Sequence, residues 1–164
     1  MILMTGTLYG RSKGRVYQKR YLELQEWKRI FTLILSEVMY GGATIIEVIR
    51  NIKIQCRAEQ FAILDVLETN MNTYQKKRFA MVWLDALKLY SEKSMLNEQD
   101  ISALERVGST LGSVDREKQI SMIHLYLEQV EQTLVDLEKE KDDKTKLCNT
   151  LGLLGSIFII ILLI

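Results

Sequence analysis

Apolar residues recur every three or four positions over long stretches of this chain, the spacing that places them on one face of a helix. Leu24, Trp27, Phe31, Ile34 and Val38 form the first such run, predicting an amphipathic helix from about residue 16 to residue 40. Ile30, Leu33 and Leu35 widen its apolar face beyond a narrow two-stranded seam, which predicts packing within a bundle. Gly41-Gly42 is the expected stop, because glycine tolerates the left-handed conformation at a helix end. Thr44 is a candidate N-cap for a short second helix with Ile45, Ile49 and Ile52 on one side. A third helix is expected over about 58–72 with Phe61, Leu64, Leu67 and Met71 as its core stripe. A fourth is expected over about 75–92 with Phe79, Trp83, Ala86 and Tyr90. Asn97, with Asp100 three residues on, resembles a capping box. It opens a fifth helix carrying Ile101, Leu104 and Val107.

The last helix carries Ile120, Ile123, Leu127, Val130, Leu134 and Leu137 in the same alternation, with Ser113 or Asp115 as its cap. Asp115 would also complement the positive end of the helix dipole. No breaker intervenes before Gly152, so the helix is expected to continue through the mixed-charge run EKEKDDKTK into the C-terminal residues. Unbroken, it would hold about 50 residues and measure roughly 75 Å. The first and last helices are natural antiparallel partners. The fold expected is therefore all-α: an antiparallel bundle of about six helices, long at both ends of the sequence, with the last continuing into a C-terminal transmembrane helix.

That final segment, LGLLGSIFIIILLI from Leu151 to Ile164, holds no charged residue. Counted from Cys148 it has about 17 residues, near the lower limit of the roughly 17–25 that span a hydrocarbon core. Lys144 and Lys146 precede it and can snorkel to headgroups. Gly152, Gly155 and Ser156 put small residues on the tail, and small residues allow close approach of another membrane helix. The alternative is a tolerated pair of glycines in a hydrophobic anchor, and a buried core helix is the other reading of the whole segment. Behind residues 1–10, two parts follow: 11–147 as a cytoplasmic helical bundle and 148–164 as a membrane anchor.

Composition sharpens this picture. Proline is absent, which favours helices throughout. Lys and Arg number 22 against 21 Asp and Glu, so bulk charge gives no reason to expect nucleic-acid binding. The charge is unevenly spread: Arg11, Lys13, Arg15, Lys19 and Arg20 form a basic cluster with no acidic residue in the first twenty positions. Such a cluster is a membrane-surface or nucleic-acid contact, or a solvated flank. With the lysines before the tail, it places the bundle on the cytoplasmic side under the positive-inside rule. Cys56 and Cys148 lie far apart without metal-ligand spacing, and Cys148 at the membrane boundary is a candidate for lipidation. The single histidine, His124, falls beside the core stripe and reads as structural. No P-loop, HExxH, GxSxG or paired-cysteine motif is present. No catalytic residue, cofactor or metal is expected, and the chain reads as an assembly component.

Three blocks of residues go further. LILSEVMYGGATI (Leu33 to Ile45), LERVGSTLGSVDREKQI (Leu104 to Ile120) and the apolar tail occur in that order. Together they resemble the stage III sporulation protein AB family of endospore-forming bacteria. The resemblance runs from about Gly10 to Ile164. The family's Glu-hydrophobic-x-Tyr ending of its long helix is matched by Glu37, Val38 and Tyr40. Its central pattern is matched by Leu104, Gly108, Leu111, Gly112, Asp115 and Gln119, and its tail opening by Leu151, Gly152 and Gly155. Two departures stand out. Thr44 replaces the proline that usually opens the second helix. The N-terminal hydrophobic segment typical of the family is reduced here to MILM and TGTLYG. Either the start is assigned too far downstream, and the resemblance then implies that residues 1–10 are the remnant of an N-terminal membrane segment, or the protein relies on its C-terminal anchor alone.

The resemblance implies a non-enzymatic platform in the secretion-like complex linking mother cell and forespore. It also implies a helical domain similar to the cytoplasmic domains of the inner-membrane platform protein of type II secretion and type IV pilus systems. Membrane lipid, other subunits of that complex and a cytoplasmic secretion-type ATPase are the implied partners, and a homo-oligomer is compatible with them. Glu37, Tyr40, Gly108, Leu111, Gly112, Asp115 and Gln119 are then candidates for a partner site, or for an architectural junction and cap. The rival readings are a membrane-tethered signalling or sensory module, a small helical enzyme, and an exported pore-forming protein.

Overall fold

A computed structural model describes the backbone of residues 3–55, 62–73, 78–113 and 115–163, and side chains within 16–55, 62–71, 78–113 and 115–140. All regular structure among the described residues is helical: α1 (Leu3–Tyr40), α2 (Ile45–Gln55), α3 (Ala62–Thr73), α4 (Phe79–Ser91), α5 (Glu98–Thr110) and α6 (Arg116–Leu163). At 38 and 48 residues, α1 and α6 measure about 57 and 72 Å. They lie antiparallel along one another, while α2 to α5 pack in sequence between the end of α1 and the start of α6.

The heptad residues do what their spacing requires. Leu24, Trp27, Ile30, Phe31 and Ile34 of α1 are buried against Ile123, Tyr126 and Val130 of α6 and against Val82, Trp83, Ala86 and Leu87 of α4. Aromatic rings form the centre. Trp27 meets Trp83 edge-on at 6.0 Å and Tyr90 at 5.6 Å, and Phe31 meets Tyr126 at 4.5 Å. Such geometries satisfy the ring quadrupoles as well as burying apolar area.

Polar residues fix the helix ends. Asn97 accepts from Asp100 N at 2.8 Å while Asp100 accepts from Asn97 N at 3.0 Å, the reciprocal box expected for α5. Thr44 forms a second box with Glu47: Glu47 accepts from Thr44 N at 2.7 Å, and Thr44 Oγ1 accepts from Glu47 N at 3.4 Å. The bond from Thr44 N, followed by one donated by Thr44 Oγ1 at 2.9 Å, holds the Glu47 carboxyl below its usual range. Asp115 caps α6 by accepting from Lys118 N at 3.0 Å.

Several expectations need correction. The first helix begins at Leu3, well before residue 16, and runs through Gly6, Gly10 and Gly14. Gly41 and Gly42 do not end it in the left-handed conformation, since the one positive φ among the described residues is at Gly112. Gly41 is required for another reason: a Cβ there would stand 2.6 Å from the Glu37 carbonyl oxygen. His124 is exposed rather than structural, and Tyr126 takes the buried place on that turn. Arg20 is no part of a free basic cluster. Its guanidinium donates to both carboxylate oxygens of Asp100, at 2.7 and 3.1 Å, in a mostly buried pair. Phe61 and residues 74–77, expected in the third and fourth helices, lie outside the described residues.

No helix among the described residues is long and apolar enough to cross a membrane. The side chains of the C-terminal segment, with Gly152, Gly155 and Ser156, and those of residues 1–15, lie outside that description, so the expected anchor and N-terminal remnant fall there too.

Candidate functional site

Because α1 and α6 are antiparallel, the end of α1 and the start of α6 meet at one end of the bundle, and α6 then leads away from it toward the apolar tail. The two internal sequence blocks therefore converge. Arg116, the first residue of α6, donates from Nε to the Val38 carbonyl at 2.6 Å and from Nη2 to the Met39 carbonyl. It satisfies carbonyls that the last turn of any helix leaves without partners. Gly112 sits against α2 and α4: a Cβ there would lie 3.1 Å from Phe79 Cβ and 3.5 Å from Ile45 Cγ2.

Most of the singled-out residues build this junction. Gly108 is buried in α5, and an added Cβ would fall 1.9 Å from Trp83 Nε1. The missing side chain lets the indole lie on the helix and donate to the Leu104 carbonyl at 3.0 Å. Leu111 is buried where α5 ends, and its N–H donates to the Gly108 carbonyl at 3.2 Å. Gly112 follows with φ +74°, the left-handed conformation that lets the chain leave a helix sharply. Ser113 N donates back to the Thr110 carbonyl at 3.3 Å. Gln119 is buried and donates from Nε2 to the Ser113 carbonyl, tying α6 to the turn before it. Asp115 caps α6. Gly108, Leu111, Gly112, Asp115 and Gln119 thus each have an architectural task.

Glu37 and Tyr40 stand differently. Glu37 is half-buried beside Gly41, and Tyr40 is 82% exposed, the most exposed large apolar side chain described. Met39 is its exposed neighbour. The end of α1 thus presents an exposed aromatic residue next to the carbonyls that Arg116 holds, and Thr44, Asp115 and Glu117 are exposed as well. Sequence reasoning missed Arg116 and Glu47. Glu47 was detectable as the fourth residue of a Thr-x-x-Glu box; Arg116 was not, because its partners are 77 and 78 residues away.

The other electrostatic features brace helices. Lys53 of α2 pairs with Asp65 and with Glu68 of α3, the latter at 3.1 Å, and Arg50 reaches Glu68 at 3.2 Å. Lys53 is held above its usual range by hydrogen bonds to Asp65 and Glu68, and Glu68 below its own by those to Lys53 and Arg50. Glu23 accepts from Ser94 Oγ at 2.7 Å, from Tyr90 Oη at 3.2 Å and from Met95 N, anchoring the α4–α5 loop on α1. Burial, followed by the Glu23 charge, pushes the Tyr90 phenol up to about 12. Among the described residues no group of three or more His, Cys, Asp or Glu is placed to hold a metal ion.

An all-helical bundle closed by a long antiparallel hairpin, with a glycine-built junction at one end, defines the class of structure. The family described as Stage III sporulation protein AB matches residues 1–164. A solved structure titled "Stage III sporulation protein AB (SpoIIIAB)" is similar at a TM-score of 0.69 and 20% identity, covering 76% of this chain and 98% of that one. No curated protein matches the chain. The chain belongs to the stage III sporulation protein AB family.

Proposed function

We infer that this sporulation protein is a non-enzymatic, membrane-anchored platform subunit of the secretion-like complex between mother cell and forespore, with its bundle in the mother-cell cytoplasm. The observation that carries the reading is the convergence of both internal blocks at the end of the hairpin opposite the apolar tail. An anchor at one end and an exposed Tyr40 at the other suit a subunit that holds a partner at a fixed height from a membrane. About 20 residues of apolar helix would span the bilayer, and the tail approaches this. Gly152, Gly155 and Ser156 offer a face to another membrane helix. A cytoplasmic secretion-type ATPase is the partner class that the family's platform role suggests for the opposite end.

The test is fractionation. The full chain should sediment with membranes and resist extraction by salt and alkali, whereas a chain ending at Leu147 should be released. A full chain recovered without membranes, or extracted by salt alone, would overturn the anchor.

A further inference from the structure

On the side of the hairpin turned away from the aromatic core, α1 and α6 alone line an open groove of about 550 Å³. Its floor is apolar, with Leu33, Leu134 and the exposed Val135. Its charged walls differ in sign: α1 contributes Lys28 and Arg29, and α6 contributes Glu131 and Glu138. Lys28 crosses to Glu131 at 3.3 Å, so Arg29 and Glu131 lie at nearly one height along the hairpin. Arg29, 43% exposed, also pairs with Glu26 on its own helix at 2.6 Å.

We propose that this groove is a homodimer interface in which two copies pack face to face about a twofold axis parallel to α1 and α6. Face-to-face packing of an antiparallel helix pair allows two twofold axes. An axis perpendicular to the helices sets α1 on α1 and α6 on α6, base against base and acid against acid. An axis parallel to them sets α1 of one copy on α6 of the other at equal heights. Arg29 of each copy then meets Glu131 of its mate, twice over, as an isologous contact requires. Charge therefore selects the parallel axis, and the apolar floors of the two grooves close on each other around it. The same axis leaves both C-terminal ends of α6 at one end of the dimer, as two chains anchored in one membrane must be. In that respect the dimer agrees with the membrane reading, but the charge argument does not depend on it.

The test is sedimentation equilibrium of the full chain in mild detergent, with thermal melts to show that each variant folds. The wild type should be a dimer. Arg29→Glu and Glu131→Arg each bring like charges together at both contacts and should weaken the dimer at least about tenfold. Mixed in equal amounts, the two variants should regain wild-type affinity, because both contacts are then complementary. Val135→Lys, at an exposed helix position on the groove floor, should weaken it as well. A monomeric wild type would overturn the proposal, as would variants that dimerise normally, which is the behaviour of a dimer held by the tail alone. A mixture that fails to restore affinity would overturn the pairing. Fractionation reads the anchor separately, so either idea can fail without the other.

Discussion

Gly108 of α5 and Trp83 of α4 occupy what would otherwise be the same space: a Cβ on Gly108 would stand 1.9 Å from Trp83 Nε1, while the indole donates to the Leu104 carbonyl at 3.0 Å. Mid-helix, alanine normally stabilises relative to glycine by about 1 kcal/mol. Here the sign reverses. Gly108→Ala must displace a buried ring or separate two helices, and overpacking of this kind costs about 3 kcal/mol. Urea unfolding should show that loss.

Arg20 and Asp100 form the most buried ion pair described, and Asp100 is also half of the α5 capping box. Arg20→Ala leaves the carboxylate without its main partner and should cost about 3 kcal/mol, the lower end for broken buried pairs because Arg20 keeps some contact with water. Asp100→Ala removes the cap as well and should cost more. Denaturant midpoints for the two variants check the order.

Tyr126 supplies the opposite case. Its hydroxyl is buried and meets no hydrogen-bond partner among the described residues, and burial pushes its phenol well above the usual range. Removing an unpaired buried hydroxyl should not cost the stability that a hydrogen bond provides. Tyr126→Phe should therefore be neutral or stabilising by up to about 1 kcal/mol in a thermal or urea melt.

The α2–α3 ion network gives a pH dependence. Glu68 is depressed in the folded state, so its contribution is present above the unfolded carboxylate value of about 4.3 and disappears as pH falls through the folded value. Glu47 acts in the same direction. Lys53 is raised, so its contribution holds below the unfolded value of about 10.4 and is lost as pH rises through the folded one. Glu68→Gln should flatten the acid limb of a stability-versus-pH curve. Added salt should shrink the effect, because these side chains are reached by water.

The sequence was most legible where a local rule sufficed. The stripe from Leu24 to Ile34, the stripe from Ile123 to Leu137, the Asn97–Asp100 box and the Asp115 cap all depend on residues within a few turns of one another. Illegible were contacts that only the assembled bundle creates. Gly108 could be marked as unusual, but its reason is a tryptophan 25 residues earlier. Arg20 read as one of five basic residues on a flank until α5 brought Asp100 to it. His124 and Tyr126 are two positions apart, and helical spacing alone did not decide which one faces the core.

The central claim is that the junction residues build a base whose exposed Tyr40 meets a partner. Serine at position 40 removes a side chain that is 82% exposed, and exposed positions of this kind tolerate substitution with little change in stability. The direct measurement is spore formation by cells whose only copy carries Tyr40→Ser, set beside the thermal melt of the same variant. The account predicts an unchanged melt and a severe loss of spores. Normal sporulation with an unchanged melt would contradict it.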